Sequence, residues 1–555
     1  MSRLPERILL FDTLGMASTK PANHVPVLIC GGGPVGLAVA LDLGSRGVRC
    51  TLVEQSTGEQ IQPKMLTASV RTLEICRRWG IADQVKDWGF PDDFPFDNVF
   101  VTSLAGYEIA RLPKPASRDI VPLPVSPESE RHCPQTWFDP ILRERAARFP
   151  GVTLRHRTKL ESFTSAADGV RAIVTDTASG TTETIHADYL VGCDGGRSPI
   201  RDALGIGVSG RGVVDRSVNL LIRIRDLHAF HDKGNAGRYA IVGEIGTWAT
   251  FVAIDGRELW RITLYGKPDF DPYTADHHAC IRQALGGDIP YELLSVERWA
   301  RRAQVADRFV KDRVLLAGDA VHAMPPNGGF GMNTGIADAA DLGWKLAAAV
   351  HGWAGPDLLP TYETERRPVG VRAVDEALRD FDRLTSNTRF PGIDDAGPAG
   401  ETIRKDLGAR LGAANKNAWE PVGIHLGYRY DASPVVIGDG TPPPSDDEMH
   451  YIPTARPGSR APHVWLEDGR STLDLFGRGF VLLCLDGDRD GAQHLLAAAT
   501  DKNVPLDVVA LSDPRIAEAY ERGLVLVRPD GHVAWRGDRI DIDPSRLIDI
   551  VRGCC

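Results

Sequence analysis

Residues 27–55, VLICGGGPVGLAVALDLGSRGVRCTLVEQ, run from an apolar segment through a glycine turn and a helical pattern to a second apolar segment. Val27-Leu28-Ile29-Cys30 suits a parallel strand covered on both faces. In the turn Gly31-x-Gly33-x-x-Gly36, Gly31 permits the tight bend and Gly33 lets backbone approach phosphates. Gly36 lets the next helix pack closely on the strand. That helix carries Leu37, Val39, Ala40, Leu41 and Leu43, and it stops near Gly44–Gly47. Its first amides and its dipole favour an anion. The second strand, Cys50–Val53, delivers Glu54 at its end, where a carboxylate can accept hydrogen bonds from a ribose diol and disfavours a 2′-phosphate. Strand, turn, helix, strand and terminal acid together read as a Rossmann-type unit for the ADP half of FAD or NAD.

The choice between those two rests on residues 312–350, DRVLLAGDAVHAMPPNGGFGMNTGIADAADLGWKLAAAV. A third apolar strand, Val314–Ala317, ends in Gly318-Asp319, and an acid there can bond the hydroxyls of a sugar-alcohol chain. The Gly328–Asn333 loop, with Gly331, Met332 and Asn333, aims backbone N–H groups outward, and a long helix is expected from about Asn333. A helix start of this kind stabilises the negative charge of a reduced flavin ring. NAD has neither a ribityl chain nor such a ring, so FAD is the expected ligand.

Three ordered motifs carry a resemblance: the Gly31–Gly36 turn, CDGGRSPIR at 193–201, and AGDAVHAMPP at 317–326. From roughly Val27 to Arg372 the chain resembles the class A flavin monooxygenases, single-component aromatic hydroxylases with the p-hydroxybenzoate hydroxylase fold. The resemblance implies that Asp194 lies between flavin and nicotinamide binding, with Arg201 supporting its turn, and that Asp319 binds the ribityl chain. It also implies FAD-holding roles for Arg71, in SVRTLEICRRWGI, and for Gln135, in CPQTWFDPIL. The plain alternatives are a solvated helix charge for Arg71 and a helix cap for Gln135. The implied reaction uses NAD(P)H and O₂ to hydroxylate an electron-rich ring through a flavin C4a-hydroperoxide. A small substituted phenol is the expected substrate. The alternative is hydroxylation or Baeyer–Villiger-type oxygenation of a larger polycyclic, polyketide or antibiotic-like molecule. A hydride-removing flavin oxidase and a non-catalytic flavoprotein are the remaining readings. Phenol hydroxylases of this group place an Asp or His five residues before the arginine matching Arg71; here that position is Leu66, which cannot accept a proton. The catalytic base is therefore unassigned.

Between the second and third motifs the pattern turns to antiparallel β. In SVNLLIRIRD, Val218, Leu220, Ile222 and Ile224 share one face and Asn219, Arg223 and Arg225 the other. TWATFVAIDGRELWRITLYG reads as two strands joined by a two-residue Asp255-Gly256 turn. Trp248, Phe251, Trp260 and Tyr265 are either pocket walls or filling beneath the sheet. Further on, VVIGDGTPPPSDDE reads as a boundary. The segment after it resembles the thioredoxin-like appendix of phenol and polyketide-aromatic hydroxylases. It lacks CxxC, so a structural or dimer-supporting role is expected rather than disulfide exchange.

The expected organisation is α/β: an N-terminal extension at 1–23, and an FAD-binding part at 24–208 with a β excursion near 90–130. A β-sheet substrate domain at 209–310, an FAD-domain return at 311–400, a linker at 401–450 and a thioredoxin-like domain at 451–555 follow. The 555 residues carry a net charge of −10 and are 43% apolar, with no Lys/Arg run suited to nucleic acid or an anionic membrane. Nine cysteines without a CxxC pair fit reduced thiols and no metal site, and Cys554-Cys555 reads as a frayed tail. No leader or membrane span is read, and a cytoplasmic location is expected; a homodimer is the expected assembly.

Overall fold

The computed structural model describes residues 23–384, 388–414, 421–485 and 488–554. Apart from its last residue, Asn23, the expected N-terminal extension lies outside them, as does Cys555. Three large sheets, with a two-stranded pair formed by Thr67–Ala68 and Arg131–His132, organise the described residues. The first has the order Val310–Lys311, Val314–Leu316, Thr182–Gly192, His24–Cys30, Cys50–Val53, Val152–Arg155. Its five central and outer strands from Val314–Leu316 to Val152–Arg155 pair in parallel. Val27, Leu28 and Ile29 are fully buried, as continuous apolar runs in a doubly covered sheet must be. Helices Pro34–Ser45 and Phe330–His351 pack against each other over this sheet.

The second sheet has eight strands, ordered His322–Ala323, Glu292–Ala306, Val208–Arg223, Leu259–Tyr265, Gly246–Ala253, Arg238–Gly243, Asn98–Val101, Glu108–Leu112. The β excursion near 90–130 thus does not extend the first sheet: Asn98–Val101 pairs with Arg238–Gly243 and completes the second. Val218, Leu220, Ile222 and Ile224 do share one face, buried in an apolar cluster with Trp248, Phe251 and Trp260. Those three aromatics therefore fill the space beneath the sheet, and only Tyr265 stands on the opposite, polar face. The Asp255-Gly256 turn is wider than expected. Strands Gly246–Ala253 and Leu259–Tyr265 are joined by residues 254–258, because the Asp255 carboxylate collects the N–H groups of Arg257, Glu258 and Leu259 and stabilises a longer loop.

The expected linker at 401–450 is packed structure over much of its length. Helix Pro398–Ala414 lays Ile403, Leu407 and Leu411, spaced at i, i+4 and i+8, against Phe100, Ala240 and Val242 of the second sheet. Tyr428 and Tyr430 are buried beside the Arg366 guanidinium. Residues 480–551 form a four-stranded sheet, ordered Leu506–Ala510, Phe480–Cys484, Leu524–Val527, Val533–Gly537, with helices between and after the strands. Up to Cys554 the chain is docked rather than frayed: Gly355 and Asp357 donate their N–H groups to Arg552 O and Gly553 O, and Cys554 donates to Asp549 O.

Candidate active site

Backbone first defines the site. Gly31 sits at φ 110°, a conformation that side chains disfavour, and its N–H donates to Val53 O at 2.9 Å, locking the turn to the second strand. A methyl group on Gly36 would overlap the Gly31 carbonyl oxygen, so the helix approaches the turn as closely as a backbone can. A methyl on Gly33 would meet nothing within 4 Å, so that edge of the turn is open, as the approach of a diphosphate requires.

The remote motifs converge on this turn. A Cβ on Gly31 would run into Cys193 O and lie 3.2 Å from Asp194 N. Val35, just inside the first helix, lies 2.8 Å from where a Cβ on Gly318 would stand and 2.5 Å from one on Gly335. A Cβ on Gly331 would lie 4.0 Å from Asp319 Oδ1, and one on Gly196 4.0 Å from Asp319 O. Glycine turn, Asp194 turn, Asp319 turn and the start of the long helix therefore form one continuous cleft at the carboxyl ends of the parallel strands. Open α/β sheets bind ligands at that position.

The acids of the cleft have different environments. Glu54 accepts from Gly32 N at 2.7 Å and Ser56 N at 2.8 Å; burial pushes its carboxyl up, but these bonds outweigh it and hold the group below its ordinary range. Asp194 accepts from Ile200 N at 3.0 Å through Oδ2, while its buried Oδ1 has no protein partner. Burial raises its carboxyl despite the Ser198 and Ile200 bonds and Arg201. Arg201 ties this turn to the next by donating to Ala320 O at 3.0 Å. Asp319 opens to solvent within the cleft while protein rings it, and desolvation raises its carboxyl against the pull of His322 and Lys64.

The long helix begins at Phe330, three residues before the expected start. Gly329, left-handed at φ 69°, is its N-cap and supplies no side chain, so the first amides remain open. Asn333 lies inside the first turn. Its amide donates to Gly329 O and Thr67 O and accepts from Ser69 N at 2.8 Å and Thr72 Oγ1 at 2.7 Å, fastening the helix start to helix Val70–Trp79. Asn333 thus positions the amides of Gly331 and Met332 rather than offering its own side chain outward.

Arg71 and Gln135 are turned to protein. Arg71 donates to Glu74 at 2.8 Å, the Tyr428 hydroxyl at 3.2 Å and Asp530 O at 2.9 Å, bridging to the C-terminal domain; it is buried, not a solvated helix charge. Gln135 donates to Asp139 at 2.9 Å and accepts from Lys64 N at 3.2 Å.

Sequence reasoning missed the buried chain beneath the Asp319 turn. Asp338 accepts from Gly318 N at 3.2 Å, is paired with His322 Nε2 at 2.6 Å, and accepts from Arg366 Nε at 2.8 Å. His322 stood inside the quoted motif, but Arg366 gave no local signal. Lys64, exposed and close enough to Asp319 to lower its carboxyl, was also passed over. Asp341, Glu365 and Asp530 converge within 4.8 Å of one another, and Lys345 and Arg528 already occupy them as cations.

Open amides, acids at strand ends and a split α/β architecture define a dinucleotide-binding fold. Residues 24–377 match the FAD binding domain family, and residues 454–553 match the aromatic-ring hydroxylase C-terminal family. The chain belongs to the FAD-dependent aromatic-ring hydroxylases and is an FAD-dependent monooxygenase. It is similar to RebC, solved with bound 7-carboxy-K252c after soaking with chromopyrrolic acid, at 42% identity and a TM-score of 0.89, over 96% of this chain and 99% of that one. Tetracenomycin B2 monooxygenase-dioxygenase of Streptomyces olivaceus is 34% identical over 95% of this chain and 97% of its own length. Phenol 2-monooxygenase of Pseudomonas sp. (strain EST1001) is 30% identical over 99% and 97%. The residues fit FAD: the side of Gly33 is open, the Asp194 Oδ1 is unsatisfied, and Asp319 faces the cleft.

Proposed function

We propose that this protein uses NAD(P)H and O₂ to hydroxylate an electron-rich aromatic substrate lying between the cleft and the polar face of the second sheet. Bound FAD supplies the activation of O₂. In this reading the amides of the Gly31–Gly36 turn hold the diphosphate, Glu54 the ribose, and Asp319 the ribityl chain. Asp194 completes the middle of the cleft, and the amides at Gly331 and Met332 take the negative charge of the reduced ring. Arg71 and Gln135 act at one remove, fixing the segments around them. The single observation that supports this assignment is the contact of Val35 with both Gly318 and Gly335, since the Gly31–Gly36 turn and the Gly318-Asp319 turn then border one cleft.

For the substrate, the reading takes in both a small substituted phenol and the larger, polycyclic alternative. Tetracenomycin B2 monooxygenase-dioxygenase and phenol 2-monooxygenase, at 34% and 30% identity, support one each. Leu66, half-buried with its carbonyl accepting from Cys133 N at 2.8 Å, supplies an apolar wall and no base. The C-terminal domain is read as thioredoxin-like, with a scaffolding role in a cytoplasmic homodimer. The test is to release and identify the flavin of purified protein, then screen phenols and polycyclic aromatics for accelerated NADH or NADPH oxidation. A product that has gained one oxygen atom supports the reading. Peroxide release without any oxygenated product counts against it, and full activity without a nicotinamide would indicate an oxidase instead.

A further inference from the structure

One hairpin of the C-terminal domain is built unlike a surface turn. Strands Leu524–Val527 and Val533–Gly537 are joined by residues 528–532. Arg528 N donates to His532 O at 2.8 Å and Gly531 N to Arg528 O at 2.9 Å, with Gly531 left-handed at φ 87°. Hairpin tips ordinarily face solvent. Here Arg528, Asp530 and His532 are 1%, 2% and 1% exposed, because the tip is inserted against the flavin-binding part.

The tip lies along helix Val70–Trp79. Arg71 and Arg78, seven residues apart on one face of that helix, donate to Asp530 O at 2.9 Å and to Pro529 O at 3.1 Å. Arg528 binds Asp341 of helix Phe330–His351 at 3.0 Å and Glu365 of helix Thr361–Leu384 at 2.7 Å. The His532 ring packs against Tyr430 and Tyr428, with centroids 4.3 and 5.2 Å away. The Tyr428 hydroxyl in turn accepts from Arg71 Nε at 3.2 Å.

From Arg71 a short run of hydrogen bonds leads to the flavin seat. Arg71 lies between Ser69 and Thr72, whose backbone N–H and hydroxyl both donate to Asn333 Oδ1, and the Asn333 amide donates to Gly329 O at the start of the long helix. Packing alone does not fix that start, since a cavity of about 20 Å³ is lined by Ser69, Arg71, Asn333, Thr334, Arg366 and Tyr428. Hydrogen bonds therefore decide where the Gly331 and Met332 amides stand. Displacing those amides weakens their bonds to an anionic ring more than to a neutral one, because charge-assisted bonds are the stronger.

We propose that the 528–532 tip is a positioning element for the flavin: through Arg71 and Asn333 it sets the amides at the start of the long helix, and so raises the cleft's affinity for reduced over oxidised FAD. The proposal rests on the reading of the Gly331 and Met332 amides as the seat of reduced-ring charge. It gives the C-terminal domain a part in the redox half of the reaction. Arg71 acts in it as a positioning residue, its guanidinium turned to protein partners throughout.

The midpoint potential of the bound flavin, measured with FAD saturating, tests it, because that potential reports the ratio of reduced to oxidised affinity. Gly331→Pro is the reference: it deletes one of the amides in the first helical turn, where a Cβ meets nothing closer than Met324 at 3.7 Å, and should lower the potential. Arg71→Met frees the tip from the helix and leaves Glu74 paired with Arg460. Gly531→Ala strains the tip at its left-handed residue. In each, the preference for reduced FAD should fall roughly three- to 10-fold, or about 14–30 mV for a two-electron couple, as the weakening of one hydrogen bond to a charged group requires. Either variant suffices alone if the other fails to fold. Arg77→Gln breaks a different bridge to the same domain, through Asp474, and controls for stability: its urea midpoint should drop and its potential stay where it is. An unmoved potential in folded Arg71→Met or Gly531→Ala, while Gly331→Pro still shifts it, overturns the positioning role alone. An equal shift in Arg77→Gln overturns it too, since general loosening then explains the effect. If Gly331→Pro itself leaves the potential unchanged, the amide reading fails and the tip's route to the flavin falls with it.

Discussion

Position 36 has no room for a methyl group, since the Gly31 carbonyl already occupies the space. Helix Pro34–Ser45 is fully packed on its inner side and cannot retreat. Gly36→Ala should therefore cost about 1–3 kcal/mol by overpacking and displace the turn. The expected result is a lowered thermal midpoint together with poor flavin retention after desalting. Asp319→Ala leaves the packing intact, because this side chain faces the cleft. It should give normally folded but nearly colourless protein, with FAD affinity reduced by roughly 10-fold or more on loss of charge-assisted bonds. A variant with a full flavin spectrum would remove Asp319 from the site. The placement of Gly31, Gly33, Gly36, Glu54, Asp194 and Asp319 around one cleft was legible because each sits at a strand end or turn defined by its immediate neighbours. Arg71 was not: its partners Tyr428 and Asp530 lie 357 and 459 residues away, and nothing local announces them.

The turn that presents Asp319 is held from below by Asp338, whose carboxylate serves Gly318, His322 and Arg366. Burial would raise that carboxyl, and His322 and Arg366 overcome it and keep it below its ordinary range. Asp338→Asn removes the charge and leaves Arg366, fully buried, facing a neutral amide. Breaking a buried pair predicts a loss of about 3–5 kcal/mol, read as a lower urea midpoint with flavin bound or absent. That dual loss separates Asp338 from Asp319, whose removal should spare apo-protein stability. Strands were readable from periodicity, as Val218 to Ile224 show. The Asp255 loop and the start of the long helix were misjudged because a side-chain carboxylate and a left-handed Gly329 set them, and hydrophobic spacing records neither. The 401–450 segment reads as a linker by its prolines and glycines, yet Leu407 and Ile403 had a sheet face to cover.

The C-terminal domain is joined to the flavin-binding part by buried charge, not by a tether. Glu74 pairs with Arg71 and Arg460, while Arg528 binds Glu365, Asp341 and Asp530. Desolvation opposes the ionised Glu74, but Arg460 and Arg71 prevail and hold its pKa at about 2 against an ordinary 4.5. The unfolded chain takes up that proton before the folded one does. The stabilisation is therefore complete above about pH 4.5 and drains away as the pH falls toward about 2. Urea midpoints should drop across that window, and Glu74→Gln should both lower the neutral-pH midpoint and flatten the acid limb. An acid limb unchanged by the substitution would place the titration elsewhere.

Val35 meets Gly318 and Gly335, so a cleft opened by the first sixty residues is closed only by residues some three hundred positions later. On the ribosome, at about 5–20 residues per second, the nascent chain spends many seconds with a half-built coenzyme seat. A complete coenzyme seat therefore exists only once the segment around Gly318 and Gly335 has been made, well past the middle of the 555-residue chain.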